Sequence, residues 1–151
     1  MKNTYSIVIE ATPQQVFHWL DDSQRLMEWL PNLVENEDVN VTENKVGSTF
    51  RQVYLEKGRR MEMTGVVTEY EANKRVACQI DGDAFGLHVS HQLEDLGGRT
   101  KLTQESQVRF KKFFKILGPI MTPFMKKSST KQLEDSFRKL KELAEAGTPS
   151  A

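Results

Sequence analysis

The residues of this sequence best suited to chemistry are three polar side chains that alternate with apolar ones. His91 falls on the apolar side of the pattern at 85–93, and Gln104 and Ser106 fall on the apolar side of the pattern at 99–110. A histidine can move protons near neutral pH, and amides and hydroxyls donate and accept hydrogen bonds. Three roles are open for His91: a satisfied interior group, a hydrogen-bond partner of a ligand, or a proton-transfer group.

Tyr54 is a second candidate for proton transfer, but no confident catalytic set emerges. The sequence has no nucleophile elbow, zinc-protease, P-loop or dinucleotide-binding motif. His88 lies three residues before His91, so the two side chains face opposite sides of a strand and cannot share a metal. The one cysteine, Cys78, lies among apolar residues, where a thiol stays protonated. We therefore expect no metal and no cofactor.

Composition indicates a soluble globular protein of one domain. The chain has 151 residues, of which 38% are hydrophobic and 28% are charged. No apolar run reaches the roughly 20 residues of a membrane span. The N-terminal residues lack the charged, apolar and small segments of a secretion signal, so we expect cytoplasmic residence. One domain is predicted over residues 1–151, with a disordered tail from about residue 147.

Charge is distributed unevenly although the formal net charge is zero. Residues 1–108 hold 11 Lys or Arg against 17 Asp or Glu, whereas residues 109–141 hold 10 against 2. The last helical segment is therefore basic, whereas residues 1–108 are acidic. A solvated helix face explains this simply, and attraction of an anionic ligand or of lipid headgroups is the alternative. No motif that reads DNA or RNA accompanies the basic residues, so we expect no nucleic-acid partner.

The first elements are one strand and two short helices. Residues 5–10 alternate as a strand does, and Thr12, Pro13 and Gln15 form the capping box of a first helix. Ser23 is the predicted cap of a second short helix, which Pro31 ends.

Alternation and turn residues predict six further strands. Their connections are short, so neighbouring strands must be antiparallel. Together with the first strand they make a seven-stranded sheet. The predicted strands are at about 34–42, 48–57, 60–70, 74–81, 85–94 and 99–110.

The last segment, from about residue 111 to 146, is predicted to be helical with a break at Gly118-Pro119. Beyond residue 130, four apolar residues recur at helical spacing and predict one buried stripe. Residues 113–125 are apolar nearly all round, which requires contact with protein, a ligand or a membrane surface. The stripe consists of Leu133, Phe137, Leu140 and Ala144.

The order of these elements and several short motifs resemble one known superfamily. The motifs are I-x-I-x-A-T-P-x-x-V-F-x-W-L-D near the start, E-W-L-P at 28–31, Val46-Gly47 before a strand, and a closing F-x-K-L-K-E-L-A-E. This sequence resembles the START-like (SRPBCC) superfamily, and within it the polyketide cyclase/dehydrase branch. The resemblance implies an α+β helix-grip fold, in which a seven-stranded antiparallel sheet wraps a long C-terminal helix over a ligand cavity.

Strand alternation then predicts the cavity wall. The strand at 48–57 stays ambiguous, because one slip in register exchanges its two faces. Those faces are Phe50, Gln52 and Tyr54 against Arg51, Val53 and Leu55. The predicted wall residues are Trp29, Met61, Met63, Val76, Cys78, Phe85, Leu87, Val89, His91, Gln104, Ser106, Val108, Leu117, Met121, Phe124 and Met125.

Three hypotheses of function follow. The first is binding of a small hydrophobic molecule, such as a lipid or a polyketide-like compound, with an anionic group as an option. The second is a cyclase, aromatase or dehydratase that uses His91 or Tyr54. The third is an interaction module, either a chaperone co-activator or a protein in transient contact with a membrane surface. Monomer and homodimer are both open. The lysines of the membrane hypothesis are Lys111, Lys112, Lys115, Lys126 and Lys127.

Overall fold

The chain folds into a seven-stranded antiparallel sheet that packs one face against helices. A computed structural model describes residues 2–56, 58–83, 85–110 and 131–146. The strands are β1 (Lys2–Ile9), β2 (Leu33–Asn40), β3 (Thr49–Glu56), β4 (Arg59–Glu71), β5 (Arg75–Asp81), β6 (Phe85–Asp95) and β7 (Thr100–Phe110). The helices are α1 (Pro13–Asp21), α2 (Ser23–Trp29) and α3, which is described over residues 131–146.

The strand order β1-β7-β6-β5-β4-β3-β2 explains where α1 and α2 lie. From β2 to β7 each strand pairs with the next one along the chain, so short turns suffice. By contrast, β1 and β2 lie at opposite edges, so the chain between them must cross the sheet, and α1 and α2 lie on that crossing. The predicted helix-grip fold is confirmed.

The turns between strands contain the residues that their backbone requires. Asn73 has a φ of +66° between β4 and β5, and Gly58 has a φ of +78° between β3 and β4. Glycine adopts this left-handed backbone without steric cost, and asparagine tolerates it. Both residues belong to turns that the sequence predicted.

Helix α1 begins at the predicted capping box. The Thr12 side chain accepts a hydrogen bond from Gln15 N at 3.3 Å, and Thr12 N donates to Gln15 Oε1 at 2.9 Å. The predicted cap of α2 was wrong by one residue, since Asp22 accepts from Gln24 N at 2.8 Å and Ser23 is the first helical residue. Aspartate and serine cap helices about equally well, so local propensity does not choose between these neighbours.

Replacing Thr12 by alanine is expected to lower the free energy of unfolding by about 1 kcal/mol, because the Gln15 N–H then loses its acceptor. Urea denaturation measures this change. Thr12→Ser keeps the hydroxyl and is the matched control, for which we expect less than half of that loss. Equal losses in the two variants would contradict a capping role.

The hydrophobic core lies where β1 ends and β7 begins. Ile9, Leu102 and Phe137 are fully buried there. Helix α3 supplies the predicted stripe, in which Phe137, Leu140 and Ala144 are buried and Leu133 packs at the margin. This core covers only part of the inner face of the sheet. The remainder of that face is where the candidate site lies.

Candidate functional site

A cavity of about 280 Å³ lies between the inner face of the sheet and the helices. Its wall is mainly apolar and draws on α1, α2, strands β2 to β7 and Leu133 of α3. A concave, mainly apolar wall with a few fixed polar groups is typical of a site for a small molecule.

Seven of the predicted wall residues line this cavity. They come from α2 and from the three neighbouring strands β5, β6 and β7, because strand alternation sends every second side chain to the same face. Tyr54, the second candidate for proton transfer, also lines it. The seven are Trp29, Val76, Cys78, Leu87, Val89, His91 and Gln104.

Five predicted wall residues are not among the described residues that line this cavity, and their place on the wall stays a prediction. Cross-strand pairing keeps them on the inner face: Ser106 pairs with Val89, and Met63 with Gln52. A shared face is therefore not sufficient to place a side chain on the wall of this cavity. The five are Met61, Met63, Phe85, Ser106 and Val108.

The predictions made for the segment before α3 and for the tail after it lie outside the described residues. They include the Gly118-Pro119 break, the tail beyond 146 and the lysines of the membrane hypothesis. Among the described residues, no helix is long and apolar enough to cross a membrane. In the same part of the chain, no group of three His, Cys, Asp or Glu could hold a metal ion. The wall residues outside the described part are Leu117, Met121, Phe124 and Met125.

The ambiguous strand, β3, turns Phe50, Gln52 and Tyr54 toward the cavity. Arg51 faces the other side of the sheet, where its guanidinium lies 2.8 Å from Glu62 and 3.2 Å from Glu37. These acidic partners hold the pKa of Arg51 above its usual value. Arg51 therefore has no place in the candidate site.

His91 lies on the cavity wall in a fixed orientation. Its Nε2 lies 2.7 Å from Gln104 Oε1, and an amide oxygen only accepts, so Nε2 donates. Nδ1 then has a lone pair and no hydrogen-bond partner among the described residues. Burial lowers the pKa of His91 to about 4, and the hydrogen bond to Gln104 opposes this shift only in part. The imidazole is therefore neutral at pH 7.

Two aromatic rings pack against His91 on the side of the imidazole that faces the helices. The ring of Trp29 lies edge-on to the imidazole at 6.4 Å between centroids, and the ring of Phe137 lies at the same distance. Trp29 is itself fixed, because its Nε1 donates to Trp19 O at 2.9 Å. Edge-to-face ring pairs add to the energy of burial. Helices α2 and α3 thus position a side chain of β6.

Two other titratable groups of the wall, Tyr54 and Cys78, also have pKa values shifted away from neutrality. Burial raises the pKa of Tyr54 to about 12 and that of the Cys78 thiol to about 11. The Tyr54 hydroxyl donates to Gln52 Oε1 at 3.0 Å. Both groups stay protonated at pH 7.

Asn36 is a functional candidate that the sequence did not reveal. It lines the cavity and is only 5% exposed. Its Nδ2 donates to Ser23 O at 2.9 Å, whereas its buried Oδ1 has no partner among the described residues. An unsatisfied buried acceptor costs about 1–3 kcal/mol.

Stability is expected to fall by about 1–2 kcal/mol between pH 7 and pH 5 through His91. Above pH 6.5 the histidine is neutral in folded and unfolded chains alike. Below it, the unfolded chain takes up a proton, whereas the folded pKa of about 4 keeps His91 neutral. The unfolded state therefore gains stability as pH falls toward 4.

Urea denaturation across this pH range measures the effect. His91→Gln should remove this part of the pH dependence, and His88→Gln, on the opposite face of β6, should retain it. Identical pH profiles for the wild-type protein and His91→Gln would contradict the assignment.

A curved antiparallel sheet that closes a cavity against a long C-terminal helix defines the START-like class of helix-grip proteins. The model of the family described as "Polyketide cyclase / dehydrase and lipid transport" matches residues 1–145. The chain belongs to this family. No curated protein matches the chain in sequence.

Solved structures share the fold over nearly the whole chain. A START superfamily protein from Mycobacterium smegmatis has a TM-score of 0.81 at 18% identity and covers 97% of this chain and 99% of its own. The Zhui aromatase/cyclase from Streptomyces sp. R1128 has a TM-score of 0.83 at 12% identity, covering 99% and 96%. A Thermus thermophilus protein has a TM-score of 0.81 at 17% identity, covering 98% and 99%. At these identities the likeness shows the fold alone.

Proposed function

We propose that this chain binds a small, mainly apolar molecule, lipid-like or polyketide-like, between its sheet and its helices. The observation that carries the proposal is the cavity of about 280 Å³ with a mainly apolar wall. Burying apolar ligand surface there is favourable by about 25 cal/mol per Å². The family to which the chain belongs is known for lipid transport as well as for cyclase and dehydrase activity, and the proposed function is compatible with it.

Binding is favoured over cyclase-type catalysis by the pKa values of the wall. A general acid or base works best when its pKa lies near the operating pH. Here the pKa of His91 is about 4, that of Tyr54 about 12 and that of Cys78 about 11. None of these three groups exchanges a proton readily at pH 7. Acid–base catalysis by one of these three groups would need its pKa to return toward neutrality when the substrate binds.

Filling part of the cavity is expected to weaken binding. Val89→Phe enlarges a wall residue, and we expect it to weaken binding of the apolar dye N-phenyl-1-naphthylamine by about tenfold or more, the equivalent of about 1.4 kcal/mol. Fluorescence titration of the purified protein measures the affinity.

Val34→Phe is the matched control, because Val34 is 46% exposed on β2 and does not line the cavity. It should retain the wild-type affinity. The proposal fails if the wild-type protein gives no saturable binding of the dye or of a panel of fatty acids.

A further inference from the structure

We propose that the cavity binds a neutral molecule with two hydrogen-bond acceptors, one held by Gln52 and the other by Gln104. This inference rests on the proposed function and names the class of ligand. The ligand is uncharged and mainly apolar, with an oxygen acceptor such as a carbonyl near each end, and is not an amphiphile with one polar head. Both glutamines line the cavity, Gln52 from β3 and Gln104 from β7.

In each glutamine a neighbouring side chain occupies the amide oxygen and leaves the amide nitrogen free. Gln52 Oε1 accepts from the Tyr54 hydroxyl at 3.0 Å, and Gln104 Oε1 accepts from His91 Nε2 at 2.7 Å. The Tyr54 hydroxyl has no other acceptor among the described residues, so its proton fixes the orientation of the Gln52 amide. Each Nε2 keeps its two N–H groups, and neither nitrogen has a partner in the described part of the chain.

Both nitrogens are within reach of a molecule in the cavity. Among the described residues, Asn36 Oδ1 is the one side-chain atom that is unpartnered and also sealed from solvent. Gln52 Nε2 and Gln104 Nε2 are unpartnered but keep accessible surface, and their side chains line the cavity. Gln52 as a whole is only 4% exposed, so its free N–H groups are open to the cavity and not to the outer surface. A ligand that excludes water leaves these donors unpaired unless it supplies an acceptor.

The two donors belong to different parts of the wall. Strands β4, β5 and β6 lie between β3 and β7 in the sheet. Neighbouring strands are about 4.8 Å apart, so the two backbones are separated by roughly 19 Å along the sheet. The intervening strands contribute apolar side chains to the wall, among them Val67, Ile80 and Val89. The wall thus presents a donor, an apolar surface and a second donor, which an apolar molecule with an oxygen near each end complements.

The charges of the wall favour an uncharged ligand. Among the described residues that line the cavity, Asp21 and Asp38 are acidic and Lys45 is the one cation. The side chain that holds Gln104 is His91, which is neutral at pH 7 and adds no positive charge. A buried carboxylate needs a charged or metal partner, whereas a carbonyl oxygen accepts the same hydrogen bond as a neutral group. Two neutral acceptors are therefore the groups that the two glutamines complement.

The experiment compares unbranched methyl ketones with diketones of the same chain length that have a second carbonyl at the other end. Decane, dodecane and tetradecane chains cover a range of distances between the two oxygens. Each probe displaces N-phenyl-1-naphthylamine from the full chain. We expect at least one diketone to bind the wild-type protein about tenfold more tightly than the monoketone of its length, because the monoketone leaves one buried donor unpaired.

Variants of the two glutamines assign each carbonyl to its donor. In Gln52→Met and in Gln104→Met, each of which lacks one N–H donor, the preference for the diketone should fall below about threefold. Gln107→Met is the matched control, because Gln107 is exposed on β7 and pairs with His88 on the opposite face of the sheet. It should keep the preference of the wild-type protein.

Equal affinities of monoketone and diketone at every chain length would overturn the inference while the proposed function stands, because the dye still binds. A preference lost in only one of the two variants would also overturn it, since the ligand would then be held at one end. Absence of dye binding would end both proposals. If a variant fails to fold, NMR of the wild-type side-chain amides decides. The preferred diketone should shift the Nε2–H signals of both Gln52 and Gln104, and an unshifted signal from either one contradicts the inference.

Discussion

Replacing Phe137 by alanine is expected to lower the free energy of unfolding by about 3–5 kcal/mol, the range for removal of a large buried ring. Phe137 is fully buried and joins three elements. Its ring lies 5.2 Å from Tyr5 of β1, 6.0 Å from Trp29 of α2 and 6.4 Å from His91 of β6. A void at this position would therefore weaken the packing of α3 against the sheet. It would also remove one of the two aromatic rings that contact His91.

Guanidinium denaturation followed by circular dichroism measures the loss. Leu55→Ala is the control, because Leu55 is 47% exposed on β3. We expect that variant to change stability by less than about 0.5 kcal/mol, the usual range for surface substitutions. A loss below about 1 kcal/mol in Phe137→Ala would show that α3 does not depend on this contact.

Replacing Gly65 by alanine is expected to destabilise the protein by about 2–3 kcal/mol and to disturb the cavity at the same time. A Cβ at this position of β4 would lie 2.2 Å from Phe50 Cζ and 2.4 Å from Phe50 Cε2. The two residues are directly opposite in the pairing of β3 with β4, so the backbone cannot separate them without breaking the ladder. The ring of Phe50, which lines the cavity, must move instead.

The double variant Gly65→Ala/Phe50→Leu tests this explanation, because leucine lacks the outer ring atoms. It should recover at least half of the lost stability relative to Phe50→Leu alone, as measured by a double-mutant cycle. Dye affinity should change in Gly65→Ala and recover in the same double variant. If the energies of the two substitutions simply add, the ring contact is not the cause.

Much of the fold could be predicted from the sequence because the signals are local. Alternation and turn residues predicted β4 at 60–70 and β6 at 85–94, and the structure has them at Arg59–Glu71 and Phe85–Asp95. The capping box of α1 involves residues three apart. Such features depend on near neighbours in the chain, which the sequence displays directly.

The candidate site was only partly predictable. Alternation predicts which face of the sheet a side chain is on, but it does not predict whether that side chain lines the cavity. It placed His91 and Gln104 on the same face, and the register of β6 with β7 makes them direct neighbours. It also placed Met61 and Val108 on that face, although neither is among the described residues that line the cavity. Alternation alone does not separate these two pairs.

Asn36 shows what local pattern cannot reveal. The strand Leu33–Asn40 reads L-V-E-N-E-D-V-N, which has the polar composition of a solvent-exposed edge. Helix α2 packs against this strand and buries Asn36, while Ser23 O engages its Nδ2. The sequence holds no sign of that contact, because Ser23 and Asn36 are 13 residues apart and belong to different elements.

By itself, the sequence determined the order of elements, their antiparallel pairing, the buried stripe of α3 and the inner position of His91. These follow from side-chain periodicity and backbone preference, which act over a few residues. The tertiary structure alone decided the facing of β3, the outward position of Arg51 and the burial of Asn36. These depend on which elements pack against each strand, and that packing is set by contacts between residues distant in the chain.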